Sequence, residues 1–229
     1  MTAQMVEMAQ RQPRFALFSN GANFACEALQ SLQLKGFHPA LLVLPEYSPA
    51  ATPASATLMQ NPCKPPRRLL QLAGPVETAY APPAQQVQCA RLLQQRAIEF
   101  MLVACWPYLI DKGVVDSVSK GALNLHPSLL PSYPGADPIG EQLKCVDVKF
   151  GVTLHLLNLH FDQGDIVAQA ELVDPQQHYQ RASLERACAR LGSGLFIDAL
   201  NEYDAGWQAI PQIQQAGSPG GADEPWSAG

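Results

Sequence analysis

Charge is scarce in this chain, and what there is leans acidic. Only 15% of its 229 residues are charged, 20 acidic against 15 basic, for a net charge of −5. That balance argues against nucleic acid as a default partner, because tracking a phosphate backbone takes a basic stripe. The tightest basic cluster, Lys64-Pro65-Pro66-Arg67-Arg68, is too short to supply one. Paired cysteine motifs are also missing. Cys26, Cys63, Cys89, Cys105, Cys145 and Cys188 stand far apart, several within apolar runs, so reduced thiols acting as small hydrophobes are expected. No apolar run approaches the roughly 18 residues of a membrane span, and residues 1–14 are polar and mixed rather than leader-like. A soluble, cytoplasmic protein is expected. What is present in quantity is apolar material, 47% of the chain, enough for one core of ordinary size.

Short apolar runs alternate with helical patterns. Residues 14–19 read as a strand that stops at Asn20-Gly21, after which Phe24, Ala25, Ala28, Leu29 and Leu32 recur at helical spacing. Further strands are expected over 40–44, 76–80, 100–105 and 121–125, with a helix over 84–96. This alternation predicts an α/β, Rossmann-like fold with a mostly parallel sheet and helices on both faces. The runs 150–157 and 166–173 are separated by too short a connection for a helical crossover, so a late antiparallel strand pair is expected. Residues 183–201 read as a helix with Ser183 as N-cap and with Gly192 and Gly194 weakening its middle. The expected organisation is an N-terminal extension over 1–13, a catalytic domain over 14–210 and a flexible tail over 211–229. The proline-rich stretch 45–66 reads as a long loop with no assigned chemistry.

The chemistry concentrates where the fifth strand ends, in Asn124-Leu125-His126-Pro127-Ser128-Leu129-Leu130-Pro131. In open α/β sheets ligands sit beyond the carboxyl ends of the strands. An amide donates a hydrogen bond, an imidazole carries a proton near neutral pH, and a carboxylate orients and charges that imidazole. Asp162, in the connection between the antiparallel strands, supplies the carboxylate if that connection folds back over the same edge. Taken singly, an Asn before His-Pro is a common turn former and an Asp near Gly a common loop residue. A metal reading of His155, His160 and Asp162 fails on spacing, and no Gly-x-Ser-x-Gly elbow supports a serine hydrolase.

The combination Asn-x-His-Pro-Ser-Leu-Leu-Pro-x-Tyr-x-Gly with a downstream Asp-x-Gly-Asp resembles the 10-formyltetrahydrofolate-dependent formyltransferases, over roughly residues 14–205 and most strongly over 121–171. The resemblance implies transfer of a formyl group from the folate to a primary amine, without a metal, and assigns catalysis to Asn124, His126 and Asp162. It also implies that Cys105, Trp106, Tyr108, Leu109 and Ile110 line the folate pocket with Leu159, His160, Phe161, Gln163 and Gly164. For the acceptor the signs are mixed. The turn Ser19, Asn20, Gly21, Ala22 and Asn23 resembles the phosphate-cradling loop of the glycinamide ribonucleotide enzymes. Gly135-Ala136-Asp137-Pro138-Ile139 resembles the methionyl-tRNA branch, with Asp137 either meeting the amine or capping a helix that starts near Pro138. That branch carries a basic C-terminal domain for which no residues remain after Trp207, so a small or medium amine is the first expectation and tRNA the second. Hydrolysis of the formyl group, or folate binding without turnover, stay open as alternatives.

Overall fold

The computed structural model describes residues 12–46, 66–82, 86–173 and 179–212. The first eleven residues, most of the proline-rich loop and the tail beyond residue 212 lie outside the described residues. Seven strands form one sheet in the order β3-β2-β1-β4-β5-β6-β7. They are β1 (Phe15–Phe18), β2 (Leu41–Pro45), β3 (Thr78–Ala81), β4 (Phe100–Val103), β5 (Gly121–His126), β6 (Gly151–Leu156) and β7 (Ile166–Glu171). The first five pair in parallel, and β6 and β7 extend the sheet antiparallel, as the short connection between them required.

Side chains alternate across the pleat, which divides the core in two. Phe15, Leu17, Phe100, Leu102, Leu123 and Leu125 pack on one face, beneath α1 (Asn23–Leu34), α2 (Arg67–Ala73) and α6 (Arg181–Glu202). Ala16, Phe18, Met101, Val103 and Ala122 pack on the other, against α3 (Gln86–Gln95) and α4 (Lys112–Val115). A final short helix, α5 (Pro138–Leu143), follows the loop after β5. The four-residue strands buried on both faces explain why these segments read as continuous apolar runs rather than alternating ones.

Two details of α6 depart from the sequence expectation. The helix begins at Arg181 with Gln180 at the N-cap, and Ser183 sits three positions in, closing a reciprocal capping box with Gln180. Gly192 does not weaken the helix but lets it approach the sheet: a Cβ there would lie 2.6 Å from Leu125 Cδ1. Close helix-to-strand packing outweighs the intrinsic cost of glycine in a helix, about 1 kcal/mol. No helix among the described residues is long and apolar enough to cross a membrane.

Candidate active site

Register alone brings the key side chains together. Asn124 and His126 are two residues apart on β5, so both point to the same face as Ala122. On the antiparallel neighbour β6, His155 lies opposite Asn124, and Thr153 lies opposite His126. The connection from β6 to β7 folds back over this edge and delivers Asp162, whose side chain is 11% exposed. One carboxylate oxygen, Oδ1, accepts from Asn124 Nδ2 at 3.2 Å and lies 3.4 Å from His126 Nδ1 and 3.7 Å from His155 Nε2. The other accepts from the Gly135 backbone N–H at 2.8 Å.

Hydrogen-bond bookkeeping assigns the protons. A carbonyl oxygen only accepts, so His126 Nε2, 2.9 Å from the Tyr133 carbonyl, carries a hydrogen. Its Nδ1 then faces the Asp162 carboxylate, an arrangement that is attractive only when Nδ1 is protonated as well. By the same argument His155 Nδ1 donates to the Leu156 carbonyl at 2.9 Å, leaving Nε2 to accept from Asn124 Nδ2 at 3.0 Å. Asn124 therefore spends both amide hydrogens, one on Asp162 and one on His155.

Burial pushes the Asp162 carboxyl up, but the charge of His126, the neighbouring His155 ring and a hydrogen bond from the Gly135 N–H outweigh it and bring it from 3.8 down to about 2. A depressed carboxyl stabilises the fold fully above its unfolded value and loses that contribution as pH falls through the folded one. Asp162 is expected to contribute on the order of 2 kcal/mol above pH 4 that disappears by about pH 2. Urea unfolding of the parent and of Asp162→Asn as a function of pH checks this: the stability difference between them should shrink across that window.

The loops around the trio are held in demanding conformations. Cys105, Tyr133 and Asp162 all sit in the left-handed region, at φ of 58°, 56° and 54°. Such backbone costs on the order of 1 kcal/mol per residue and persists only where the surroundings impose it. At Tyr133 it turns the carbonyl toward His126 and the Ser128 hydroxyl. Thr153 anchors the same loop, donating to the Ser128 carbonyl at 2.6 Å and accepting from Leu130 N at 3.0 Å.

Beside the trio opens a cleft that is continuous with solvent. Val103, Trp106, Tyr108, Leu109, Ile110, Leu157 and Phe161 supply its apolar lining, and Asn124, His155, Asn158, His160 and Asp162 its polar side. Trp106 packs edge-on against Phe18 and Tyr108, stiffening one wall. Gln86 clamps the loop behind that wall, giving a hydrogen bond to the Leu109 carbonyl at 3.0 Å and taking one from Asp111 N at 2.6 Å. Of the residues expected at a folate pocket, Trp106, Tyr108, Leu109, Ile110, His160 and Phe161 line this cleft. Cys105, Leu159, Gln163 and Gly164 are not among its lining residues, though the first three adjoin one that is.

The turn Ser19 to Asn23 lies on the same sheet edge, because Phe18, Val103 and Asn124 stand in one row across β1, β4 and β5. Three of its backbone donors are engaged locally: Gly21 N bonds Ser19 Oγ, Ala22 N bonds Asn20 Oδ1, and Asn20 N bonds the Cys105 carbonyl. Asn23 is held between Glu185 and Arg68, and Arg68 and Arg186 both pair with Glu27. Asp137 caps α5 through Gly140 N and forms a two-point ion pair with Arg181. The pair with Arg181 is the main reason its carboxyl is held below the usual range.

His155 is the participant that the sequence reading left out of the trio. Its signal was there: Thr153 and His155 are the two polar residues in the apolar strand β6, both on the parity of Asn124 and His126.

Among the described residues no group of three or more His, Cys, Asp or Glu is arranged to hold a metal ion. The family model described as formyl transferase matches residues 14–200. The methionyl-tRNA formyltransferase of Paraburkholderia phymatum is 28% identical over 206 residues, covering 86% of this chain and 61% of the relative. That of Ehrlichia canis is 35% identical over 107 residues, 46% of this chain and 35% of the relative. The chain thus spans less than two thirds of the length of either. The crystal structure of glycinamide ribonucleotide transformylase 1 from Geobacillus kaustophilus superposes with a TM-score of 0.58 at 25% identity, covering 83% of this chain and 98% of that one. With most of its length matched by one family model, this chain belongs to the formyl transferase family.

Proposed function

We propose that the protein transfers a formyl group from 10-formyltetrahydrofolate to a primary amine, with Asn124, His126 and Asp162 as its catalytic residues. The observation that carries this reading is the convergence of Asn124, His126 and His155 on the largely buried Asp162 carboxylate in a cleft with one apolar side. The lining suits a pterin in kind: apolar side chains from Trp106, Leu109 and Ile110 stand with polar groups of Asn158 and Asp162. The folate supplies a formyl carbonyl for the amine to attack. Asn124 and the His126 imidazolium donate to the oxygen that gains charge, each such donor being worth about 3 kcal/mol in the transition state. Asp162 holds the imidazolium and receives a proton from the attacking amine, returning it to the departing nitrogen through water.

The acceptor favoured here is a small or medium amine. Arg68, Arg181 and Arg186 each face a carboxylate, which weakens their pull on a polyanion. A second reading, formylation of methionyl-tRNA, draws support from the 28% identity to the P. phymatum enzyme. Single-turnover assays that follow release of tetrahydrofolate against a panel of amino sugars, amino acids and charged methionyl-tRNA separate the two. Release with a small amine and not with tRNA supports the first reading. Release with tRNA alone replaces it, and release with no amine present replaces both with a hydrolase.

A further inference from the structure

The segment after α6 returns to the site. Ile210 forms a two-way backbone bridge with Ile166 at the start of β7, both hydrogen bonds being 2.8 Å long. Two residues on, Gln212 Nε2 donates to the Asp162 carbonyl at 2.8 Å and to the Gly164 carbonyl at 2.7 Å. Both hydrogens of the amide are thereby committed to the one loop that carries the buried carboxylate. That loop needs holding. Asp162 occupies left-handed backbone, and Gly164 runs so close to the Leu156 carbonyl that a Cβ there would overlap it at 1.7 Å. The base of the loop is closed by Leu156 N on the Asp165 carbonyl, and the Gln212 amide holds the turn itself at 162 and 164.

From this geometry we infer that Gln212 is a positioning residue, which fixes the Asp162 carboxylate by clamping the backbone carbonyls on either side of residue 163. Rotation of the Asp162 peptide would swing its carboxylate off Gly135 N, Asn124 and His126 together, since all three converge on it from the opposite loop and strand. The inference rests on the reading of Asp162 given above, and it adds a residue outside the matched family segment, 14–200, to the site.

Two variants of the full chain test it. Gln212→Met keeps the length and removes the donor; Gln212→Glu keeps the shape and sets a carboxylate against two carbonyls. The Gly135 amide, which donates to Asp162 Oδ2, is the local reporter, read by hydrogen exchange in NMR, with the Leu17 and Leu102 amides as core references. The expected result is that Gly135 exchanges about tenfold faster in both variants while Leu17 and Leu102 stay within about twofold of the parent. The dissociation constant for 5-formyltetrahydrofolate, measured by calorimetry, should rise about tenfold alongside. Unchanged Gly135 exchange overturns the inference, as does acceleration shared equally with Leu17 and Leu102, which reports a general loss of stability. Faster Gly135 exchange with an unchanged dissociation constant reduces Gln212 to a loop staple and overturns its role in the site. Should the parent itself not bind the folate, the proposed function fails, and the exchange experiment still decides whether Gln212 holds Asp162.

Discussion

Replacing Asp162 by Asn is expected to slow formyl transfer by about three orders of magnitude and leave the protein folded. The substitution is nearly isosteric, and Asn tolerates left-handed backbone as well as Asp does, so the φ of 54° is no obstacle. What changes is charge and donor count. Asn124 Nδ2 and Gly135 N deliver hydrogens to the two carboxylate oxygens separately, so either orientation of an amide turns its own N–H groups against one of them. The same amide gives His126 Nδ1 no charge to hold its proton. An imidazole kept neutral in this way donates only to the Tyr133 carbonyl and offers nothing to a developing negative charge. Single-turnover release of tetrahydrofolate with the best amine of the panel measures the loss, and circular dichroism verifies the fold. A rate within about tenfold of the parent would remove Asp162 from the catalytic trio.

Asn124→Ala carries the second large effect, a fall in kcat of about a hundredfold to a thousandfold with a small change in the KM for the folate. The split matters because the proposed reaction has Asn124 spend its hydrogens differently before and during transfer. At rest they bond His155 Nε2 at 3.0 Å and Asp162 Oδ1 at 3.2 Å. The longer bond, to Asp162, is the one to yield when the formyl oxygen arrives, while His155 keeps the amide plane in place. An interaction made only in the transition state lowers kcat and kcat/KM together. A variant that raised KM alone would make Asn124 a binding residue and shift the oxyanion entirely onto His126.

Much of this was legible in the residues. Asn124 and His126 follow from period two at the end of a buried strand, whereas Asp162 joins them because the short connection between antiparallel strands folds back over the same edge, which the residues allowed but did not require. The late antiparallel pair itself followed from connection length. His155 was harder, because facing Asn124 depends on the register of β5 with β6, and strand periodicity does not specify register. Gln212 left no trace at all: it lies 50 residues beyond Asp162 in a stretch without periodicity. The helices α2 and α4, seven and four residues long, are too short for an apolar stripe to repeat. Ser is a strong N-cap residue, yet the cap lies three residues before Ser183, at Gln180, through the box the two share.

The proposed folate cleft is tested most directly by calorimetric titration of the full chain with 5-formyltetrahydrofolate. One site per chain with a micromolar dissociation constant is expected, weakened about tenfold or more in Leu109→Asp, which puts a charge on the cleft wall at a residue already 43% exposed and so spares the core. No heat of binding up to about 1 mM folate, or equal binding by the Leu109→Asp variant, would contradict the account.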